Sequence, residues 1–543
     1  MTGTATFILH THLPYCRLAG RWPHGEEWLH EATLECYLPL IRSFRRLAAE
    51  IDGPLGVTIN MTPILAEQIR DPLMREHFRE YLAGRIGRAR ADVSRFARVE
   101  TWRLPTAEFH LARYQAIRAF YEDEIGADPL RALRELEASG HIEIATSAAT
   151  HGYLPLLLDD DAIRFQVRTG VDSHIRNFGR EPRSFWLPEC AYRPGLEQYL
   201  EEAGIRVFFV ETHLVTGGKA RGKAAGGMLG PYPELDQFAR RPALKTEDDG
   251  THQGTTFRPY LVGQSSVAVF ARNEQTGKQV WSADHGYPGD AAYREFHKKD
   301  GESGLHYWRV TGPGVDLGEK ASYNPTVASE RTTEHAAHFV ELLNRELYLY
   351  ESSAGSPGAV VSAYDTELFG HWWLEGVDWL EKAIRGLSAD AGVRLTSAGD
   401  AVMANPPTET IELPEGSWGG GGDHRTWLND ETAWTWPEIY GRQDRARRLL
   451  TVDTLPSRQL ARELLLLQSS DWQFLMTTGQ AHDYAIQRFQ SHARRFDALA
   501  DAIEHHSTGV EPLASEYHAL DNPFDAINPR SFDVQPEPVI APA

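Results

Sequence analysis

The sequence predicts an α/β protein built on a parallel-stranded barrel with a helical C-terminal part, on three observations. Short apolar runs alternate with stretches of helical periodicity from residue 6 to residue 396, the beat that lays strands side by side in a parallel sheet. Polar residues gather just past the carboxyl ends of those runs, the face on which a barrel builds its site. After about residue 404 the strand beat stops and long helical patterns take over.

Taken in order, residues 6–10 form the first predicted strand. Its extension His10, Thr11, His12 alternates, so both imidazoles project to one side of an extended backbone. Such a pair either binds a metal or hydrogen-bonds a ligand. Trp22 and Trp28 follow in a predicted loop with Pro23 and Gly25 between them, as caps of the barrel mouth or as ligand contacts. Residues 34–51 read as helix and 56–61 as strand. Residues 63–138 read as a helical excursion, with apolar positions three and four apart among many Arg and Glu. Residues 142–148 form a strand that delivers His151 beyond its end. A helix at 165–178, a strand at 185–187 before Glu189, a helix at 195–203 closed by Gly204 as a left-handed cap, and a strand at 207–210 come next.

Residues 216–256 break the rhythm. Rich in Gly and charge and too long for an ordinary connection, they are predicted to be an insertion or a lid, with Tyr232 their only tyrosine. Residues 267–272 form a strand ending in Arg272, and Trp281 follows in a polar stretch. Arg272 either pairs with a surface acid or stands beside Glu189 and holds it ionised; the second is expected. Residues 286–316 read as a long surface loop, 334–347 as helix, 359–364 as the strand before Asp365, and 393–396 as the last barrel strand.

Beyond residue 404, the Gly-rich run around Trp418 is too flexible to pack alone, and Trp427, Trp434 and Trp436 follow. Helices are predicted over 436–452, over 456–476 with Pro456 at its start and Leu464 to Leu467 buried on all sides, and over 481–505. A bundle set against the barrel places Trp418 and Trp427 at the seam, where ligand grooves tend to form. Asp471 either points into that groove or is a satisfied core acid. Past residue 512 a Pro-rich tail is expected to be extended or disordered.

The 543-residue chain has 55 Lys and Arg against 76 Asp and Glu, a net charge of −21, so its mean field repels a polyanion such as nucleic acid. Three cysteines without metal-ligand spacing argue for a reducing compartment. No basic leader precedes an apolar run and no apolar window reaches membrane-spanning length, so the expected location is the cytoplasm.

The chemistry centres on two stretches. Phe185 to Tyr192 (FWLPECAY) sets Glu189 among aromatics directly after an apolar strand, and Tyr364 to Trp373 (YDTELFGHWW) sets Asp365 likewise. A carboxylate so placed is expensive to desolvate unless donors hold it or chemistry uses it. Two such acids flanked by Trp and Tyr suit paired-carboxylate chemistry on a sugar whose faces stack on aromatics. Glu367 and Glu211 are rival acids. Cys190 has no assigned His or helix N-terminus to activate it and reads as a packing residue.

With Phe7 to Tyr15 (FILHTHLPY) and His151 to Pro155 (HGYLP), these segments resemble the ordered motifs of glycoside hydrolase family 57. The overall layout, from about residue 6 to about 479, is most similar to that family's 1,4-α-glucan branching enzymes. The resemblance implies a distorted (β/α)7-type barrel with a helical insertion and a C-terminal α-helical bundle. It also implies an α-glucan substrate, no metal or cofactor, and retention of configuration with Glu189 as nucleophile and Asp365 as acid/base. The lid would carry a Tyr favouring transfer over hydrolysis, for which Tyr232 is the candidate. Sugar contacts are expected from His10, His12, Trp22, Trp28, His151, Arg272, Trp281, Trp418, Trp427 and Asp471. The expected division is a catalytic barrel at 1–404, a Trp-rich helical domain at 405–512 and a tail at 513–543. Open alternatives are an α-amylase, amylopullulanase or 4-α-glucanotransferase on the same scaffold, a metal-dependent hydrolase using His10, His12, Asp365 and His371, and a glucan-binding protein without turnover.

Overall fold

A computed structural model describes residues 3–217, 254–282 and 286–533. Ten strands are found among them: β1 (Gly3–Thr11), β2 (Val57–Met61), β3 (Ile142–Ser147), β4 (Ser184–Trp186), β5 (Val207–Val210), β6 (Tyr260–Val262), β7 (Ala268–Ala271), β8 (Gly358–Asp365), β9 (Val393–Leu395) and β10 (Thr410–Ile411). They lie in the order β10-β6-β7-β5-β4-β3-β2-β1-β8, with β9 beside β1. From β7 to β8 run seven parallel strands, rich in Val, Ile, Phe and Ala and nearly all buried on both faces. β7 and β8 do not pair as strands. Asn273 N–H donates to Val361 O (2.9 Å) across that gap, so the sheet curls into a distorted (β/α)7-type barrel.

Helices cross between the strands as the beat requires. Between β2 and β3 stand Pro63–Arg70, Pro72–Phe96, Leu104–Ala119 and Pro129–Ala138, the helical excursion. Pro stands in the first turn of all four, where its missing N–H has no partner to lose. Gly204 has φ +78° and ends its helix as expected. Five helices, Thr435–Leu449, Leu455–Leu467, Asp471–Thr478, His482–Glu504 and Val510–Leu520, form the C-terminal bundle. One apolar core joins bundle and barrel, packing Tyr192 and Leu214 with Trp427, Trp436 and Trp472.

Four expectations are corrected. The predicted helix over 456–476 is two helices, because Ser470 N–H donates to His151 O (3.1 Å) and Ser469 bridges Gly152; a tertiary contact interrupts the helical ladder there. Residues 513–533 are not an extended tail. Pro512 lies in the first turn of Val510–Leu520, where proline is tolerated, and Ala514, Phe524, Ile527 and Phe532 are buried against the bundle. The stretch 286–316 is no surface loop, since Tyr293, Leu305 and Tyr307 are fully buried and Arg294 bridges Arg309. Trp28 sits on the helix Glu26–Ala32 rather than in a loop. Most of the predicted lid, residues 218–253 with Tyr232, lies outside the described residues. No described helix is long and apolar enough to cross a membrane.

Candidate active site

Strand register assembles the site. In the β1–β8 pair His10 is the partner of Asp365, and in the β1–β2 pair it is the partner of Asn60. The chain beyond β4 turns sharply, and Glu189 and Cys190 both take left-handed backbone angles (φ 63° and 47°), a strained geometry that persists only where its surroundings enforce it. They do: Trp418 N–H donates to Glu189 O (3.0 Å), and Tyr192 and Gly416 form a bridge alongside. The Gly-rich run around Trp418, too flexible to order itself, is thereby tied to the Glu189 turn.

These elements wall a cavity of about 740 Å³ that takes in Glu189, Asp365, Glu367, His10, His12, His151, Asp471, Trp28, Trp281, Trp418 and Trp427, inside the roughly 300–1,000 Å³ range of small-molecule sites. Trp22 is not among its walls; it stands 77% exposed beside Pro23, which is. Trp427 is buried and stacks on Tyr153 (4.4 Å between centroids), and Trp281 ends the helix Glu274–Trp281.

The two acids meet different surroundings. Glu189 Oε2 accepts Trp418 Nε1–H at 2.8 Å and Oε1 accepts Ser470 Oγ–H at 3.2 Å, with His151 Nδ1 at 3.6 Å. Burial pushes its carboxyl up to about 7, and the Trp418 donor holds back part of that rise. Asp365 accepts no side-chain hydrogen bond from the described residues. Burial, then the neighbouring Glu367 and Glu189 charges, hold it well above the ordinary carboxylate range, against the opposing pull of Arg272. Glu367 accepts Tyr37 O–H (2.5 Å) and His12 N–H (3.3 Å), and burial takes it to about 7.

The imidazoles are also differentiated. His10 stacks on Trp186 (4.6 Å) and its Nδ1 is 2.6 Å from Asn60 Oδ1; burial and then the His12 charge lower it well below 6.5. His151 is lowered for the same reasons, and its Nε2 has no partner among the described residues. For His12, burial is outweighed by Asp471, whose Oδ1 lies 2.9 Å from Nε2, so its pKa is raised. The ligand atoms of His12, His151 and Asp471 fall within 4.8 Å of one another. The metal set considered from sequence, His10, His12, Asp365 and His371, is not gathered among the described residues, where the groups close enough to hold an ion are His12, His151 and Asp471, and Glu463, His492 and Asp521.

Arg272 is a correction. Its guanidinium pairs with Glu211 (2.6 Å), both fully sequestered, and lies over the Trp418 ring; it makes no contact with Glu189. Glu211 and Arg272 directly follow the register partners Val210 and Ala271 of adjacent strands, so they are lateral neighbours, whereas Glu189 leaves the next strand over. Ser470, which touches both Glu189 and His151, went unread in the sequence. Its only signal is the Gln468, Ser469, Ser470 interruption of an apolar helical run.

Paired carboxylates, imidazoles and indoles at the carboxyl edge of a parallel barrel define a class, the carbohydrate-active barrel enzymes. Residues 6–414 match the model of glycosyl hydrolase family 57, and the chain belongs to that family. Residues 446–532 match the C-terminal model of 1,4-alpha-glucan branching enzymes, which includes the helix at Val510–Leu520. A 1,4-alpha-glucan branching enzyme of Thermococcus kodakarensis is 44% identical over 96% of this chain and 78% of its own length. A probable 1,4-alpha-glucan branching enzyme of Mycobacterium tuberculosis is 33% identical over 97% and 98%. Among solved structures, the branching enzyme of Pyrococcus horikoshii superposes with a TM-score of 0.87 at 40% identity, covering 99% of this chain and 98% of that one. The alpha-amylase AmyC of Thermotoga maritima gives 0.82 at 28%, covering 98% and 100%.

Proposed function

We propose that the protein is a retaining 1,4-α-glucan branching enzyme in which Glu189 is the nucleophile and Asp365 the acid/base. The observation that carries this is the asymmetry of two acids in one cleft: Glu189 receives two side-chain hydrogen bonds and Asp365 receives none among the described residues. Hydrogen bonds to a carboxylate favour its charged form, and like charges without donors favour the protonated one. Asp365 therefore keeps the proton.

In the first half-reaction Glu189 attacks the anomeric carbon of an α-1,4-linked unit while Asp365 gives its proton to the departing 4-oxygen. The C–O bond breaks as the ester to Glu189 forms. In the second, Asp365, now a carboxylate, takes the proton of an incoming 6-hydroxyl, whose oxygen displaces Glu189 and leaves an α-1,6 branch. Water in place of that hydroxyl gives hydrolysis. His10 and His151, both held neutral, supply hydrogen bonds to sugar hydroxyls, and Trp28, Trp281 and Trp418 supply apolar faces, while Trp427, buried against Tyr153, backs the wall. The C-terminal part completes the groove through Trp418 and through Asp471, at the start of the helix Asp471–Thr478. The similarity to branching enzymes at 44% identity, including their C-terminal region, supports transfer over the α-amylase and 4-α-glucanotransferase alternatives. A reducing, cytoplasmic setting and glycogen-like glucans fit three free cysteines and a neutral polymer.

Linkage analysis of amylose products tests this reading. New α-1,6 linkages with little new reducing sugar are expected; reducing ends released in proportion to cleaved bonds, without branches, would make it an amylase.

A further inference from the structure

Adjacent indoles after Asp365 have opposite fates. Trp373 is packed in the core, 2% exposed against Tyr293 and Trp379. Trp372 is only half-buried and lines the cleft. One face of Trp372 is covered by Phe296, nearly parallel at 8° with 5.1 Å between centroids, and Phe296 is backed in turn by His306 at 6.0 Å and 27°. The ladder is fixed at its base. His306 Nδ1 accepts from Arg294 Nη1 (3.0 Å) and its Nε2–H donates to Phe296 O (2.9 Å), while Arg294 Nη2 donates to His371 O. Burial and then the Arg294 charge keep His306 neutral, as that pattern of one accepting and one donating nitrogen requires. A ring held in place before ligand arrives loses little freedom on binding.

The cavity of about 740 Å³ holds more than a single pyranose, and the unit at the acids has its own aromatic wall in Trp418, bonded to Glu189. We infer that Trp372, braced by Phe296 and His306, is a further glucosyl-binding platform that takes the C–H face of a sugar unit other than the one bonded to Glu189. It thereby makes the cleft select for longer α-1,4-glucans. A pyranose presents a positively polarised C–H face, which the negative face of an indole attracts while both are withdrawn from water. This deepens the reading of the cleft as an α-glucan site and rests on it.

The experiment is calorimetric titration of maltose and of maltoheptaose in a Glu189→Gln background, so that no bond breaks during the measurement, with Trp372→Ala, Trp372→Phe and Phe296→Ala added singly and thermal melting as the folding control. Trp372→Ala is expected to weaken maltoheptaose about tenfold while leaving maltose unchanged. Trp372→Phe should recover most of the loss, and Phe296→Ala should fall in the same direction with a smaller effect. Equal weakening of both sugars, or no change in either, overturns the proposal. Phe296→Ala removes the brace without touching Trp372, so a poorly folded Trp372→Ala protein leaves the question decidable. Binding is read without turnover, so the result is separate from whether wild-type products carry α-1,6 linkages.

Discussion

Replacing Trp418 by Phe keeps an aromatic ring in the cleft and removes one N–H. That N–H reaches Glu189 Oε2 at 2.8 Å and is the foremost influence opposing the rise of the Glu189 carboxyl to about 7. A hydrogen bond to a charged group contributes about 1.5–3 kcal/mol, and about 1.4 kcal/mol is one pKa unit, so Glu189 in Trp418→Phe should titrate about one to two units higher. The direction follows because the lost donor stabilised only the ionised form. At pH 7, where Glu189 is about half ionised, its charged fraction should fall about fivefold for one unit and about fiftyfold for two. The assay is the pH profile of kcat/KM on amylose, which reports the free enzyme's groups. Its acidic limb should move to higher pH, separately from any uniform change in height caused by altered stacking. An acidic limb that stays in place, or moves to lower pH, would refute the assignment of Glu189 as the group that must be ionised.

Three other outcomes are expected. Arg272→Met leaves Glu211 buried without its ion-pair partner and should destabilise the fold by about 3–5 kcal/mol; a denaturation midpoint within error of wild type would show the pair to be dispensable. Glu367→Gln keeps an acceptor for Tyr37 and His12 but cannot ionise. Because Glu367 titrates near 7 when folded against about 4.5 unfolded, its contribution is intact below the unfolded pKa and lost as pH rises through 7. The variant should therefore match wild type near pH 4 and exceed it by about 3 kcal/mol at pH 8, and a pH-independent difference in urea unfolding would contradict this. Dialysis against EDTA should leave activity unchanged, since His12 is committed to Asp471, Asp471 also to Ser469, and His151 Nδ1 to Ser470. Activity lost to the chelator and restored by zinc would reassign that trio as metal ligands.

Much of the barrel was legible because its signals are local. The apolar run at 207–210 is β5 residue for residue, and Gly204 closes its helix where a left-handed cap was predicted. The alternation His10, Thr11, His12 also read correctly, with the two rings 5.9 Å apart on one side of the strand. What failed depends on partners distant in sequence. Nothing in the residues near Arg272 says which acid it meets; strand register decides that in favour of Glu211. The break at Gln468 to Ser470 exists because His151, more than 300 residues away, takes the Ser470 N–H. The C-terminal segment was misread because its many prolines and weak periodicity hide a helix, although Pro512, in a first turn, breaks no hydrogen bond. Trp372 and Trp373 are indistinguishable in sequence, and only the packing of Phe296 against one and Tyr293 against the other tells platform from core.

The central claim, that Glu189 carries the glucan between the two half-reactions, is most directly tested by trapping that ester. Asp365→Ala lacks the base for the second step, and a maltosyl fluoride needs no acid for the first, so the adduct should accumulate. Mass spectrometry of peptic fragments should find one maltosyl group on the peptide containing Glu189, bound through its carboxylate. A maltosyl ester on Glu367 or Glu211 instead, or a stoichiometric burst of fluoride with no adduct on the protein, would contradict the account.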